Sequence, residues 1–230
     1  MEKTGQAAKA ASRQLRTAST RAKNTALKKA AALLRRNADI VLQANRQDLA
    51  AAQDLTAAQM DRLKLDPQRI EAIAASLDLV AVLPDPVGQT ITEWTVASGL
   101  RIRRVRVPLG VIGVIYESRP NVTVDAAALC LKSGNACILR PGSESFASAR
   151  ALADLFRQAL READLPEDAV RMVDTPDRVA VGELLRLVRY VDVIVPRGGK
   201  SLIARVQQES RVPVLAHLDG NNHVYVDGMA

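Results

Sequence analysis

The residue types able to do chemistry gather in four short polar segments, each at the end of an apolar run. The first, Glu117-Ser118-Arg119-Pro120-Asn121, brings an acid, a guanidinium and an amide donor around a proline-started helix. A binding loop and an ordinary turn both fit those residues, and sequence alone leaves the two open. The second, Arg140-Pro141-Gly142-Ser143-Glu144, sets a guanidinium at a strand end facing the amides of the next helix, which suits ribose or phosphate oxygens. The third, Pro196-Arg197-Gly198-Gly199-Lys200-Ser201, repeats the order of strand, glycines and helix, where backbone amides can hold a pyrophosphate. The fourth, His217-Leu218-Asp219-Gly220-Asn221-Asn222-His223, holds both histidines of the chain.

Several chemistries are excluded by spacing. Gly199-Lys200-Ser201 ends like a nucleoside-triphosphate loop, but that motif needs glycine where Ile194 stands. His217, Asp219 and His223 would share one side of an extended segment, and Gly220 breaks that geometry, so metal binding is not expected. A Gly-x-Gly-x-x-Gly fingerprint is absent, because Gly110 and Gly113 enter a strand instead of leaving it. Cys130 and Cys137 lie in apolar surroundings, away from a helix start or a cation, and read as inert buried thiols.

These loops join an alternation of strands and helices. From residue 110 onward, apolar runs at 111–116, 136–139, 170–173, 191–195 and 214–216 alternate with helical patterns, the order of a parallel sheet with helices on both faces. In such a sheet, ligands bind beyond the carboxyl ends of the strands, where all four segments fall. From about residue 6 to residue 82 the chain is Ala-rich and helical, with Leu27, Ala30, Leu34, Ala38 and Val41 at steps of three and four. Lys28, Lys29, Arg35 and Arg36 fall on the opposite, solvated face. Asp66-Pro67 marks a helix start, Ile70, Ile73, Leu77 and Val80 its buried stripe, and Pro84-Asp85-Pro86 its end. Residues 89–107 turn to period-two segments around Ala97-Ser98-Gly99, which predicts a hairpin. Its second strand carries Arg101, Arg103, Arg104 and Arg106, so it is expected to stand apart from the core.

Composition narrows the class. A chain of 230 residues, 48% hydrophobic, suffices for one large domain or a domain with an appendage. The net charge of +7 suits an anionic partner, but aromatic residues at 3% give little to build a stacking platform for nucleic acid. No run approaches the ~18 apolar residues of a membrane span, the first forty residues do not read as a signal peptide, and two cysteines seven apart form no disulfide framework. The expectation is a cytoplasmic protein that binds neither membrane nor nucleic acid.

Two blocks are closely similar to the gamma-glutamyl phosphate reductase family of the aldehyde dehydrogenase superfamily. They are Pro108-Leu109-Gly110-Val111-Ile112-Gly113-Val114-Ile115-Tyr116-Glu117-Ser118-Arg119-Pro120-Asn121-Val122 and Asp125-Ala126-Ala127-Ala128-Leu129-Cys130-Leu131-Lys132-Ser133-Gly134-Asn135-Ala136. Val195-Pro196-Arg197-Gly198-Gly199 and the segment from His217 to Asp227 resemble the same family in the same order. The resemblance implies a cofactor-binding domain without the common glycine fingerprint, formed by residues 1–88 and 108–230, with 89–107 as an oligomerisation hairpin. It implies NADPH-dependent reduction of gamma-glutamyl phosphate to glutamate 5-semialdehyde and phosphate in proline biosynthesis, through a cysteine thiolate.

Residue by residue, the resemblance sets Arg140 near the adenosine ribose. Ser143 stands where NAD-users carry a ribose-binding glutamate, a loss that favours the 2′-phosphate of NADP(H). Arg197, Gly198 and Gly199 join the cofactor site. Asn121 corresponds to an oxyanion-donating asparagine, and His217 matches the general-base glutamate of hydrolysing relatives. Pro141 and Asn222 depart from the family's usual glycine and cysteine. The family's catalytic cysteine sits in a later Pro-x-x-Cys-Asn-like segment that these residues do not contain, so a chain ending at Ala230 is expected to be catalytically dead. The rival expectation is a stand-alone nucleotide-binding or interaction module.

Overall fold

The computed structural model describes residues 1–53, 55–216, 225–226 and 228. It begins with α1 (Glu2–Leu15), α2 (Thr20–Arg36), α3 (Ala38–Ala51), α4 (Ala57–Leu63) and α5 (Pro67–Val82). Local chemistry sets where these start. The Ser19 hydroxyl accepts from the Ala22 amide at 3.2 Å, Thr56 and Gln59 form a capping box, and Asp66 accepts from the Arg69 amide at 2.8 Å ahead of Pro67. Each such cap contributes about 1 kcal/mol. The stripe read from sequence is buried at Leu27, Ala30, Leu34 and Val41 and in α5 at Ile70, Ile73 and Leu77. Of the charges placed opposite, Arg35 does more than meet solvent, since its guanidinium pairs with Glu71 at 2.8 Å and Asp78 at 2.9 Å on α5.

One cation lies on the wrong side of that pattern. Lys23 in α2 is buried, with its ammonium 2.5 Å from the Asp85 carboxylate and 3.2 Å from the Lys132 carbonyl. Asp85 also accepts from the Thr20 hydroxyl at 2.7 Å and the Val87 amide at 3.0 Å. Burial alone would raise the Asp85 pKa, but these hydrogen bonds and the Lys23 charge hold it below the ordinary range. The cluster fastens the turn that leads into the hairpin β1 (Thr90–Thr95) and β2 (Arg101–Val105), whose strands pair antiparallel. Both strands are exposed apart from the half-buried Ile102, as their charge pattern predicts.

The rest is a four-stranded parallel sheet of β3 (Val111–Tyr116), β4 (Ala136–Arg140), β5 (Val170–Met172) and β6 (Val193–Arg197), in the order β5-β4-β3-β6. A single parallel bridge from Ile194 to Val214 continues the sheet beyond β6. β3, β4 and β5 are linked in turn by α6 (Asn121–Lys132) and α7 (Phe146–Glu162), then α8 (Val179–Leu185) leads back to β6 on the far side of β3. Right-handed crossovers put that return on the opposite face from α6 and α7. There α1 lies across β3, β4 and β5, burying Ala8, Ala11 and Leu15. A last helix, α9 (Lys200–Glu209), follows β6.

The chain enters β3 through Gly110, at φ +126°, where a Cβ would stand 2.2 Å from an Asp192 carboxylate oxygen. That carboxylate accepts from the Val111 amide at 2.8 Å and from Lys9 at 2.7 Å, tying α1 to the base of β3. The strand order reverses between β3 and β6, which makes their carboxyl ends the switch-point crevice of an open parallel sheet.

Candidate active-site crevice

Three of the four polar segments converge at this crevice, and two carboxylates knit them together. Glu117, next after β3, accepts the Gly199 amide at 3.0 Å, and its own amide donates to the Arg197 carbonyl at 3.3 Å. Glu144, after β4, accepts the Ser118 amide at 2.6 Å and the Ser118 hydroxyl at 2.7 Å. Ser118 has φ 44°. Holding a residue with a Cβ there costs about 1–3 kcal/mol, which charge-assisted bonds to Glu144 offset. Gly198 is required by proximity, because a Cβ would lie 2.5 Å from Glu117 Oε2 and 2.7 Å from Leu202 Cδ2.

The Gly199 amide, expected to be open for a pyrophosphate, already serves Glu117. Arg140 is buried, and its guanidinium donates to the carbonyls of Pro141 at 2.7 Å and Pro176 at 2.9 Å, clasping the loops after β4 and β5. Desolvation lowers its pKa, with the Glu144 charge opposing, and its Nε finds no acceptor among the described residues. Asn121 opens α6, and its amide donates to Asp125 at 3.0 Å.

The space divides into three adjoining cavities. A cleft of about 450 Å³ is lined by Arg62, Arg119, Arg197, Gly198, Gly199 and Glu117. Glu117 also lines a second cleft, of about 260 Å³, with Arg140, Ser143, Glu144, Arg178 and Arg205. Arg62 and Arg119 also line a third, of about 410 Å³, with Asn121 and Asp125. The structure therefore groups Arg197, Gly198 and Gly199 together, puts Arg140 and Ser143 across the Glu117 wall, and sets Asn121 in a separate chamber. His217 lies outside the described residues.

Arg62, Arg119 and Arg197 pair with no carboxylate among the described residues, and against the one carboxylate of Glu117 they leave the first cleft with net positive charge suited to a phosphoryl group. Arg62 had no local signal, since only the packing of α4 brings it here. The bonds of Glu117 and Glu144 were equally unreadable, each partner lying 26 or more residues away.

The phenol and thiols nearby are shut away. The Tyr116 hydroxyl, bonded to Thr123 at 2.7 Å, is buried and its pKa is raised by desolvation. Cys137 is pushed well above the ordinary thiol range by the Cys130 thiol and by complete burial, and both cysteines are free and buried. Among the described residues no group of histidine, cysteine or acidic side chains is placed to hold a metal, and no helix is long and apolar enough to cross a membrane.

Comparison with known proteins gives three results. The model of the aldehyde dehydrogenase family matches residues 1–230. Gamma-glutamyl phosphate reductase of Parvibaculum lavamentivorans is 58% identical over 100% of this chain and 55% of its own length. Crystal structures of gamma-glutamyl phosphate reductase from Thermotoga maritima and Saccharomyces cerevisiae superpose with TM-scores of 0.90 and 0.85, at 43% and 32% identity. They cover 93% and 95% of this chain and 52% and 56% of theirs. The chain thus spans about half the length of the curated relatives it matches.

Proposed function

The chain belongs to the aldehyde dehydrogenase family and has that family's α/β fold, and on that premise we propose that it forms the cofactor-binding part of a gamma-glutamyl phosphate reductase. The reaction is NADPH-dependent reduction of L-glutamate 5-phosphate to L-glutamate 5-semialdehyde with release of phosphate. The observation that carries this reading is the switch-point cleft with Arg62, Arg119 and Arg197 free of carboxylate partners among the described residues. An acyl phosphate and the phosphate it releases both need such cations. The names of the relatives support the same substrate.

The neighbouring cleft suits the nucleotide. Ile115, Val181 and Leu202 offer apolar walls for a base, Glu117 and Glu144 are acceptors for ribose hydroxyls, and Arg178, with Arg205 beside its partner Glu209 at 2.9 Å, would neutralise a 2′-phosphate. Arg140 acts here as a clasp holding the loop that carries Ser143, not as a direct ligand. When bound, the cofactor supplies hydride. The chain's own residues bind and orient the reactants and neutralise the phosphate. Displacement at an acyl phosphate calls for a thiolate. Cys130 and Cys137 are enclosed, so neither is placed to act as that nucleophile. His217 and Asn121 are not assigned steps. Two free thiols accord with a reducing, cytoplasmic setting.

The hairpin at 89–107 is proposed as an oligomerisation arm of a homo-oligomer, because Ile91, Trp94, Leu100 and Val107 are exposed on and beside it. The cofactor reading is tested by thermal shift. At a hundredfold excess over its dissociation constant, a ligand of the folded state adds about 2.7 kcal/mol, or roughly 5–11 °C for a chain of this size. NADPH should give that shift, NADH a smaller one at equal concentration, and duplex DNA none. A shift with DNA, or none with NADPH, would overturn the proposal.

A further inference from the structure

We infer that the cavity of about 410 Å³ beside the start of α6 receives the head of an α-amino acid, its ammonium on the Asp125 carboxylate and its carboxylate against Arg62 and Arg119. The choice of a glutamyl chain as the rest of that ligand relies on the function proposed above. The charge arrangement does not.

Asp125 is a half-buried carboxylate in the cavity wall whose hydrogen bonds among the described residues come from neutral groups alone, the Asn121 amide at 3.0 Å and the Ser76 hydroxyl at 3.4 Å. An ionised carboxylate offers about four acceptor positions. Among the described residues no cation pairs with it, although Arg62, Lys64, Arg69 and Arg119 all line the same cavity. A charge taken from water without a partner is costly, and a ligand ammonium supplies the missing one. Desolvation raises the Asp125 pKa, with the Asn121 and Ser76 bonds opposing, which is the mark of a carboxylate that has not been paired.

The cations in the cavity differ in their availability. Arg69 is committed to Asp61 at 2.8 Å and to the Lys64 carbonyl at 2.7 Å. Arg62 and Arg119 have no such partners among the described residues, and they line both this chamber and the cleft with Arg197 and Gly198. One molecule can therefore place an ammonium at Asp125, a carboxylate at the shared rim and a second anionic group towards Arg197. Asn121, read from sequence as an oxyanion donor, instead orients the carboxylate that would bind the amine.

The test is a nuclear magnetic resonance titration of the 230-residue chain with L-glutamate, glutarate, which lacks the amine, and 4-aminobutanoate, which lacks the α-carboxylate. The wild-type chain should bind L-glutamate at least tenfold more tightly than either analogue. Asp125→Asn should bring L-glutamate down to the affinity of glutarate while leaving glutarate and NADPH binding unchanged. Equal binding of L-glutamate and glutarate by the wild type, a preference that survives Asp125→Asn, or no binding of any of the three would overturn the inference. The wild-type comparison needs no variant, so it decides even if the substitution disturbs folding. Loss of NADPH binding with the amine preference intact would sink the cofactor reading alone and support this site.

Discussion

The Asp85→Ala substitution probes how the hairpin is held to the body. In the native chain one carboxylate neutralises the buried ammonium of Lys23 at 2.5 Å and lies near that of Lys132, whose pKa is lowered by desolvation while the Asp85 charge opposes. Lys132 has neutral acceptors of its own, Asn24 at 2.6 Å and the Ala81 carbonyl at 2.9 Å, whereas Lys23 would keep, among the described residues, only the Lys132 carbonyl. Removing one partner of a buried pair costs about 3–5 kcal/mol, which for a chain of this length is a fall in Tm of roughly 6–20 °C. The double variant Lys23→Met/Asp85→Ala removes the stranded charge and should recover most of that loss, since an apolar replacement of a buried pair is often near neutral. Thermal melts of both at pH 7.5, in low and high salt, are the assay. The pair is shielded from solvent, so salt should change little. Because the folded pKa of Asp85 is depressed, its contribution is complete above the ordinary aspartate value of about 3.9 and is lost as pH falls through the lower folded value. A single variant within 2 °C of wild type, or a double variant worse than the single, would show that Asp85 does not hold a buried Lys23 charge.

Two further outcomes follow from the same structure. Asp125 has a raised pKa, so its ionised form weighs against folding above that pKa. Asp125→Asn should raise stability at pH 7.5 by about 0.5–2 kcal/mol, or roughly 1–8 °C, with the gain vanishing as pH falls below an ordinary aspartate's pKa. Replacing residues 92–103 by a two-residue Asn-Gly turn should leave the sheet and its Tm intact while lowering the molar mass of any oligomer seen by sedimentation, because the hairpin strands bury almost none of their own surface.

Much of the architecture is legible in local patterns. Asp66 caps its helix through a bond spanning three residues, as its place before Pro67 announces, and the alternation of apolar runs with helices prescribes a parallel sheet. What escapes is any interaction whose partners are far apart in the chain. Lys23 looks like one more surface lysine of an Ala-rich helix until Asp85, 62 residues later, closes over it. Arg140 has the residue type of a ligand and the bonds of a clasp, because the loop after β5 puts carbonyls within its reach. Glu117 and Glu144 look like acids in binding loops, and in the fold they hold those loops together. The charge balance of the crevice depends on Arg62 arriving from α4, which no spacing around Arg119 or Arg197 announces.

A crystal structure of this chain grown with NADPH would locate the nucleotide directly. The adenosine and its 2′-phosphate should lie between Ser143 and Arg205 in the cleft of about 260 Å³, with the rest of the nucleotide passing Glu117 towards Arg119 and Arg197. Nucleotide bound on another face of the sheet, or a crevice left vacant at saturating NADPH, would contradict it.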